Sequence, residues 1–329
     1  MSFVVPHLRR LHRFALLALA VLMSSAAWAE PYPSKTIRII FPFSAGLAGD
    51  AVSRLIGQRL SEAVKQSVVV EPRPGANGVL GSDVVAKAIP DGHTIIFSTI
   101  NTQAITPHLL GKLPYDPLKD FAPIISMAST PYFLIVGNHV PANSVKEFIA
   151  LAKSKPGKIS IGYTTSTPQL TAELFRLQAG IDVVFVPYKT STTAYTDMIG
   201  GQLDAMFESA PSANIQVKAG RLKAIGVTSP KRVAIAPDLP TIAESGFPGF
   251  ESDTTLAAFA PAGTPKEIID TLYEHLARIV NIPEVRERMV QVGFDNIVIK
   301  TPKELGETVA REYAKWGKVV KDAKIAKGG

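Results

Sequence analysis

Cysteine is absent from all 329 residues. That absence excludes disulfides, zinc–thiolate sites, iron–sulfur clusters, a Cys nucleophile and a lipid-bearing Cys at a processed N-terminus. Aromatic residues make up 8% and charged residues 19% of the chain, which suits neither a disordered segment nor a polybasic polymer binder. Catalytic frames are missing too. No Ser stands in a G-x-S-x-G frame, and no G-x-x-x-x-G-K-[ST] occurs. No two glycines are two apart, so a G-x-G-x-x-G loop cannot be built. His93, His108, His139 and His275 are isolated along the chain, without the paired spacing of metal ligands. Neither a cofactor nor a metal is expected.

Long apolar runs are also scarce. The one candidate is at the start, where Arg9, Arg10 and Arg13 precede the apolar residues 14–23 and then Ala27-Trp28-Ala29. This is the basic, apolar and small-x-small order of a secretory signal peptide, residues 1–29. A membrane anchor is the competing reading. Ten helical residues rise about 15 Å, roughly half a bilayer core, so the export signal is preferred. Loss of the segment takes Arg9, Arg10 and Arg13 with it and no acid, lowering the net charge from +7 to +4. The expected location is the periplasm.

What is present is a core-forming composition, 46% hydrophobic, enough for one large or two medium domains. Short apolar strands are expected at residues 36–41, 68–71, 94–98, 124–127, 132–136, 159–162, 183–186, 204–207 and 222–227. Helices are expected at 50–64, 81–88, 145–154, 168–180 and 192–200, and at 265–281, 283–292 and 302–326. Strands alternating with helices imply parallel sheets covered on both faces. Crossovers near 128–131 and 253–260 would divide the mature chain into lobe 1 (30–128 and 254–329) and lobe 2 (129–253).

Three hydroxyl-rich loops follow strands and open helices. They are Phe43-Ser44-Ala45-Gly46-Leu47-Ala48-Gly49-Asp50, Tyr163-Thr164-Thr165-Ser166-Thr167-Pro168 and Tyr188-Lys189-Thr190-Ser191-Thr192-Thr193. In doubly wound sheets ligands sit beyond the carboxyl ends of strands, where helix starts offer unpaired N–H groups that suit an anion. Thr167 is the expected cap of its helix, with Pro168 in the first position. Ser and Thr also cap helices with no ligand at all, so one loop alone decides little. Asp50 is expected to stabilise a helix start, and Lys189 to be a solvated surface charge or a ligand contact. Asp204 could bond loop amides or line a cleft. Thr99 and Asn101, just past the strand at 94–98, join the candidate ligand-binding set.

These loops and the turns between them resemble the receptors of tripartite tricarboxylate transporters, the Bug/TctC-type family. The matching segments include Glu71-Pro72-Arg73-Pro74-Gly75-Ala76-Asn77-Gly78, Pro90-Asp91-Gly92-His93-Thr94 and Leu113-Pro114-Tyr115-Asp116-Pro117. Val186-Pro187-Tyr188-Lys189, Gly200-Gly201-Gln202-Leu203-Asp204 and Pro261-Ala262-Gly263-Thr264-Pro265 continue the series in order. The resemblance implies an α/β, two-lobe periplasmic binding protein fold, each lobe a mostly parallel sheet flanked by helices, with a ligand cleft between. It also implies no catalysis, capture of a small organic carboxylate, and delivery to a membrane permease. Its ligand loops map onto residues 44–49, 164–167 and 190–192. The chain departs from the family there. Leu47 stands in a run that is usually Pro/Gly-rich, and Thr190-Ser191-Thr192 replaces a glycine-rich run.

The expected function is therefore a monomeric periplasmic receptor for a di-, tri- or aromatic carboxylate. A ligand sensor serving a signalling partner is the alternative. A nucleic-acid role is disfavoured: Lys315, Lys318, Lys321, Lys324 and Lys327 alternate with apolar residues as on the solvated face of a packed helix.

Overall fold

Five residues rich in β-branched side chains, Ile37–Phe41, open the fold as strand β1, with all but Arg38 buried. In the computed structural model, residues 32–294 and 296–327 are described; the expected signal segment lies outside them. Contacts divide the chain into Met1–Ser34 and Lys35–Gly329, and every element below belongs to the second unit. The strands are β1, β2 (Val68–Pro72), β3 (Thr94–Thr99), β4 (Phe121–Gly137), β5 (Ser160–Tyr163), β6 (Val184–Pro187), β7 (Ala205–Ser209), β8 (Leu222–Val227), β9 (Asp253–Pro261) and β10 (Asn296–Lys300). The helices are α1 (Ala48–Val64), α2 (Val79–Ala86), α3 (Ile100–Ala104), α4 (Thr106–Leu109), α5 (Val145–Ser154) and α6 (Ser166–Ala179). They continue as α7 (Ser191–Ile199), α8 (Ala210–Lys218), α9 (Lys266–Val280), α10 (Pro283–Gln291) and α11 (Pro302–Asp322).

The sheet order is β2-β1-β3-β9-β4-β7-β5-β6, with β8 and β10 also paired to β4. Its two wings are parallel: β1 pairs with β2 and β3, and β5 with β6 and β7. The middle is antiparallel, through β3–β9, β9–β4 and β4–β7. The architecture is thus the α/β type expected, with a mixed sheet.

Strand β4 differs from its expected form. Two strands with a crossover at 128–131 were anticipated, and one continuous strand runs through instead. Its first part pairs with β9 as far as Pro131↔Asp253, and its second, from Tyr132, pairs with β7. Pro131 cannot donate a ladder hydrogen bond, and it sits where the strand changes partners, which is where that loss is tolerated. The segment 253–260, also read as a crossover, is strand β9.

Helix patterns explain the layers. In α1, Val52, Ile56 and Leu60 recur every four residues and are all buried. The helix stops at Lys65, whose left-handed φ of 55° interrupts the α-helical run. In α11, Thr301 and Glu304 form a reciprocal capping box, and Leu305, Val309, Trp316 and Val320 face the core. Phe175 on α6 is fully buried among Phe148, Phe207, Phe247 and Phe250. Burying such a ring contributes about 2–3 kcal/mol. No helix among the described residues is long and apolar enough to cross a membrane.

Candidate functional site

The loop between β1 and α1 carries the first candidate residues. Ser44, Ala45, Gly46 and Leu47 are exposed, and Phe43 is half-buried with its ring edge-on to Phe41, centroids 5.5 Å apart. Asp50 is buried and holds this loop: its carboxylate accepts the Gly46 N–H at 3.0 Å and pairs with Arg54 at 3.1 Å. Burial alone would raise its pKa, but the Gly46 amide and Arg54 outweigh that and pull it below the ordinary value. A committed, internally paired carboxylate of this kind is a brace for the loop.

Beyond β3, Thr99 caps α3. Its Oγ1 accepts the Thr102 N–H at 3.2 Å and lies 3.1 Å from the Thr102 hydroxyl. Asn101 donates from Nδ2 to the Asp253 carbonyl at 3.0 Å, tying α3 to the start of β9. It also lines a second cavity of about 150 Å3 with Asp253, Lys300, Arg311, Glu312 and Lys315. Burial pushes the Asp253 carboxyl up, against a bond from Thr255 that stabilises its charged form.

Beyond β5, the helix start falls two residues earlier than expected. Thr165, not Thr167, is the N-cap of α6, and Pro168 is third in the helix. Proline fits there because the first-turn amides have no intrahelical partner, so the missing N–H removes no bond. Thr165 makes no side-chain capping bond. The Ser166 and Thr167 amides are therefore open at the helix's positive end.

These segments meet in a cleft of about 450 Å3. Phe43, Leu47, Thr99, Asn101, Thr165, Ser166 and Thr167 line it, together with Phe41, Asn77, Thr102, Thr106, Tyr132, Thr254 and Leu256. The Tyr132 hydroxyl sits 2.7 Å from the Thr254 Oγ1, where β4 and β9 pass between the two wings. Burial drives this phenol far above its ordinary pKa, so it stays protonated and can donate. Among the described residues that line the cleft, none carries a charge.

The other candidates lie outside that lining. Ser44, Ala45 and Gly46 stand at the exposed tip of their loop, and Thr164 precedes the α6 cap. Tyr188 donates to Asp197 at 2.8 Å; burial first, then the neighbouring carboxylate, pushes the phenol up to about 12. Thr190 caps α7 through the Thr193 N–H, and Ser191 and Thr192 open that helix. Asp204 accepts from the Ser160 N–H at 2.7 Å and the Ser160 hydroxyl at 2.9 Å, with His139 at 3.2 Å. Both its oxygens are engaged by neighbouring strand ends, and it is not part of the cleft lining. Lys189 is exposed.

Residues that the sequence reading missed are those delivered by tertiary pairing: Tyr132, Thr254 and Leu256 reach the cleft because β4 and β9 do. Asn77 carried a signal, since Ala76-Asn77-Gly78 turns with Asn77 at φ 53°, a conformation Asn tolerates. No three His, Asp or Glu side chains converge as metal ligands among the described residues.

A two-winged α/β sheet with helix starts and hydroxyls around a central cleft is the architecture of a solute-binding receptor. The sequence model of the tripartite tricarboxylate transporter family receptor matches residues 52–325, and the chain belongs to that family. It is similar to BugT of Bordetella pertussis, 32% identical over 297 residues, covering 89% of this chain and 91% of that protein. Among solved structures it resembles Rpa4515 of R. palustris with adipate, with a TM-score of 0.74 and 32% identity over 90% of this chain and all of that one. It also resembles MatC of Rhodopseudomonas palustris with bound malate, with a TM-score of 0.70 and 29% identity over 88% of this chain and all of that one.

Proposed function

We propose that this protein is a periplasmic receptor that captures a small organic carboxylate in the cleft and passes it to a membrane permease, without catalysis. The observation that carries the reading is the uncapped start of α6 opening into a cleft walled by the Phe43–Gly49 loop, in a chain of this receptor family. Adipate and malate in related structures support a carboxylate as the ligand.

In this mechanism the ligand carboxylate accepts hydrogen bonds from the Ser166 and Thr167 amides and the nearby hydroxyls. Residues 35–128 with the described part of 254–327 form one lobe and residues 129–253 the other, hinged where β4 and β9 change surroundings. Closure brings the exposed Thr190–Thr192 loop toward the cleft mouth. The ligand stabilises the closed form by binding it more tightly than the open one. The receptor acts as a monomer, exported by its N-terminal signal.

A thermal-shift screen of organic acids on the purified protein tests the reading. A carboxylate at a hundredfold excess over its Kd contributes about 2.7 kcal/mol, a Tm rise of roughly 5 °C for a chain of this size. Failure of every carboxylate to raise Tm at millimolar concentration would refute it.

A further inference from the structure

The second cavity, about 150 Å3, shares one wall residue with the cleft, since Asn101 lines both. The rest of its lining comes chiefly from β9, β10 and α11, and its charges are sorted toward two ends. Lys300 stands at the end of β10 that pairs with Ser126 of β4, and its Nζ donates to the Thr308 hydroxyl at 2.9 Å. Arg311 follows one turn later on the same side of α11, exposed, and its nearest carboxylate, Glu312, is 3.9 Å away. Glu304 feels the Lys300 charge but is engaged in the Thr301 capping box, outside the lining. At the other end Asp253 pairs with Pro131 of β4. Burial chiefly pushes its carboxyl up, the Thr255 and Ser129 hydroxyls oppose this, and the charges of Glu251 and Glu312 add to it. Lys315 is committed, pairing with Glu312 and donating to the Glu251 carbonyl at 3.1 Å. Among the described lining residues, Lys300 and the loosely held Arg311 are thus unmatched at one end, and the Glu251 and Asp253 carboxylates at the other.

We infer that this cavity is a second binding site, distinct from the cleft, for a small zwitterion whose carboxylate meets Lys300 and Arg311 and whose ammonium group meets Glu251 and Asp253. A simple anion would leave the two acids without a counter-charge in a partly desolvated space, and a simple amine would do the same to the two cations. A zwitterion satisfies both ends at once. Its charges must be separated by a short chain, because the two ends lie at different positions along β4. The cavity has the bulk of about five waters, which admits an amino acid of a few carbons and nothing much larger. The inference does not depend on what the cleft binds.

γ-Aminobutyrate is the probe, with butyrate and butylamine as controls that each lack one of its charges. Isothermal titration of the full mature protein is expected to give a γ-aminobutyrate site about tenfold tighter than either control, equivalent to about 1.4 kcal/mol. Lys300→Gln and Arg311→Gln should each weaken γ-aminobutyrate about tenfold, and Glu251→Gln should bring it to the level of butyrate. Arg311 is exposed, so its substitution leaves folding intact, and an unchanged Tm without ligand checks the other two. Binding that survives Lys300→Gln and Arg311→Gln combined belongs elsewhere, the cleft included, and overturns the inference. Butyrate binding as tightly as γ-aminobutyrate also overturns it, since the acidic end then plays no part. Absence of γ-aminobutyrate binding at millimolar concentration overturns it as well, and the carboxylate-receptor reading of the cleft then stands.

Discussion

Arg38 and Glu71 meet across β1 and β2 through two parallel bonds, Nε to Oε1 at 2.7 Å and Nη2 to Oε2 at 2.9 Å. Arg73 adds a third contact at 3.3 Å. The Arg38 bond chiefly, helped by Arg73 and opposed by partial burial, holds the Glu71 carboxyl at about 2 instead of 4.5. A carboxylate whose pKa is lower in the folded state contributes stability above its unfolded value, and that contribution fades as pH falls from about 4.5 to about 2. Arg38 is partly exposed, so solvent screening limits the pair to about 1 kcal/mol. Glu71→Gln should therefore lower Tm by roughly 1–2 °C at pH 7, with the gap to the unsubstituted protein closing by pH 2. Calorimetry across that range decides it, and a gap independent of pH would show that charge is not the cause. Asp50 works by the same logic within one loop, and its partners explain why an acid beside the cleft is compatible with an anionic ligand.

At the scale of elements, close approach decides where glycine is needed. A Cβ on Gly81 would meet the Pro42 Cα at 2.8 Å and the Arg73 carbonyl at 3.1 Å, both backbone atoms that cannot swing aside. Gly81→Ala should cost about 1–3 kcal/mol by overpacking, seen as a lower Tm in calorimetry. Because Pro42 precedes Phe43, the same change should weaken ligand binding beyond what lost stability explains; an unchanged Tm would deny the tight packing. The elements legible in the sequence were those with strong periodicity. Helix α5 and strand β8 fall at the residues expected, and α1 and α11 within a few. Strand β9 was misread because Ala257, Ala258 and Ala260 give it little intrinsic β preference, and only its position between β3 and β4 imposes the extended form. Helix α8 was missed because Pro211, Ser212 and Asn214 weaken helix propensity, although Ala210 and Ala213 pack into the core. Strand β10 has no buried run to announce it and pairs only with β4. The loops of the cleft were legible because turn and capping chemistry is local. The apolar lining of the cleft was only half legible, since Phe43 and Leu47 sit in such a loop while Leu256 and Phe294 arrive from distant segments.

For the whole molecule, β4 and β9 are the critical connection, because they lie between the two wings, β9 pairing with β3 on the side carrying Phe43 and β4 pairing with both β9 and β7. Two strands side by side resist twist yet permit a bend about a line across them, so the proposed closure would need only small backbone changes near Pro131 and Asp253. The absence of cysteine makes the proposed closure testable, since two introduced thiols would be the only ones in the chain. Ala45→Cys and Lys189→Cys place them on exposed loops that follow β1 and β6, one on each wing. Spin labels at these sites should report a distribution that moves to shorter distances, by more than about 2 Å, as a bound carboxylate saturates the protein. The shift should follow the binding isotherm measured on the same labelled protein, because differential affinity for the closed form is what drives it. A distribution that stays fixed at full occupancy would mean that the cleft binds without closing, and that any partner must recognise the ligand in an open receptor.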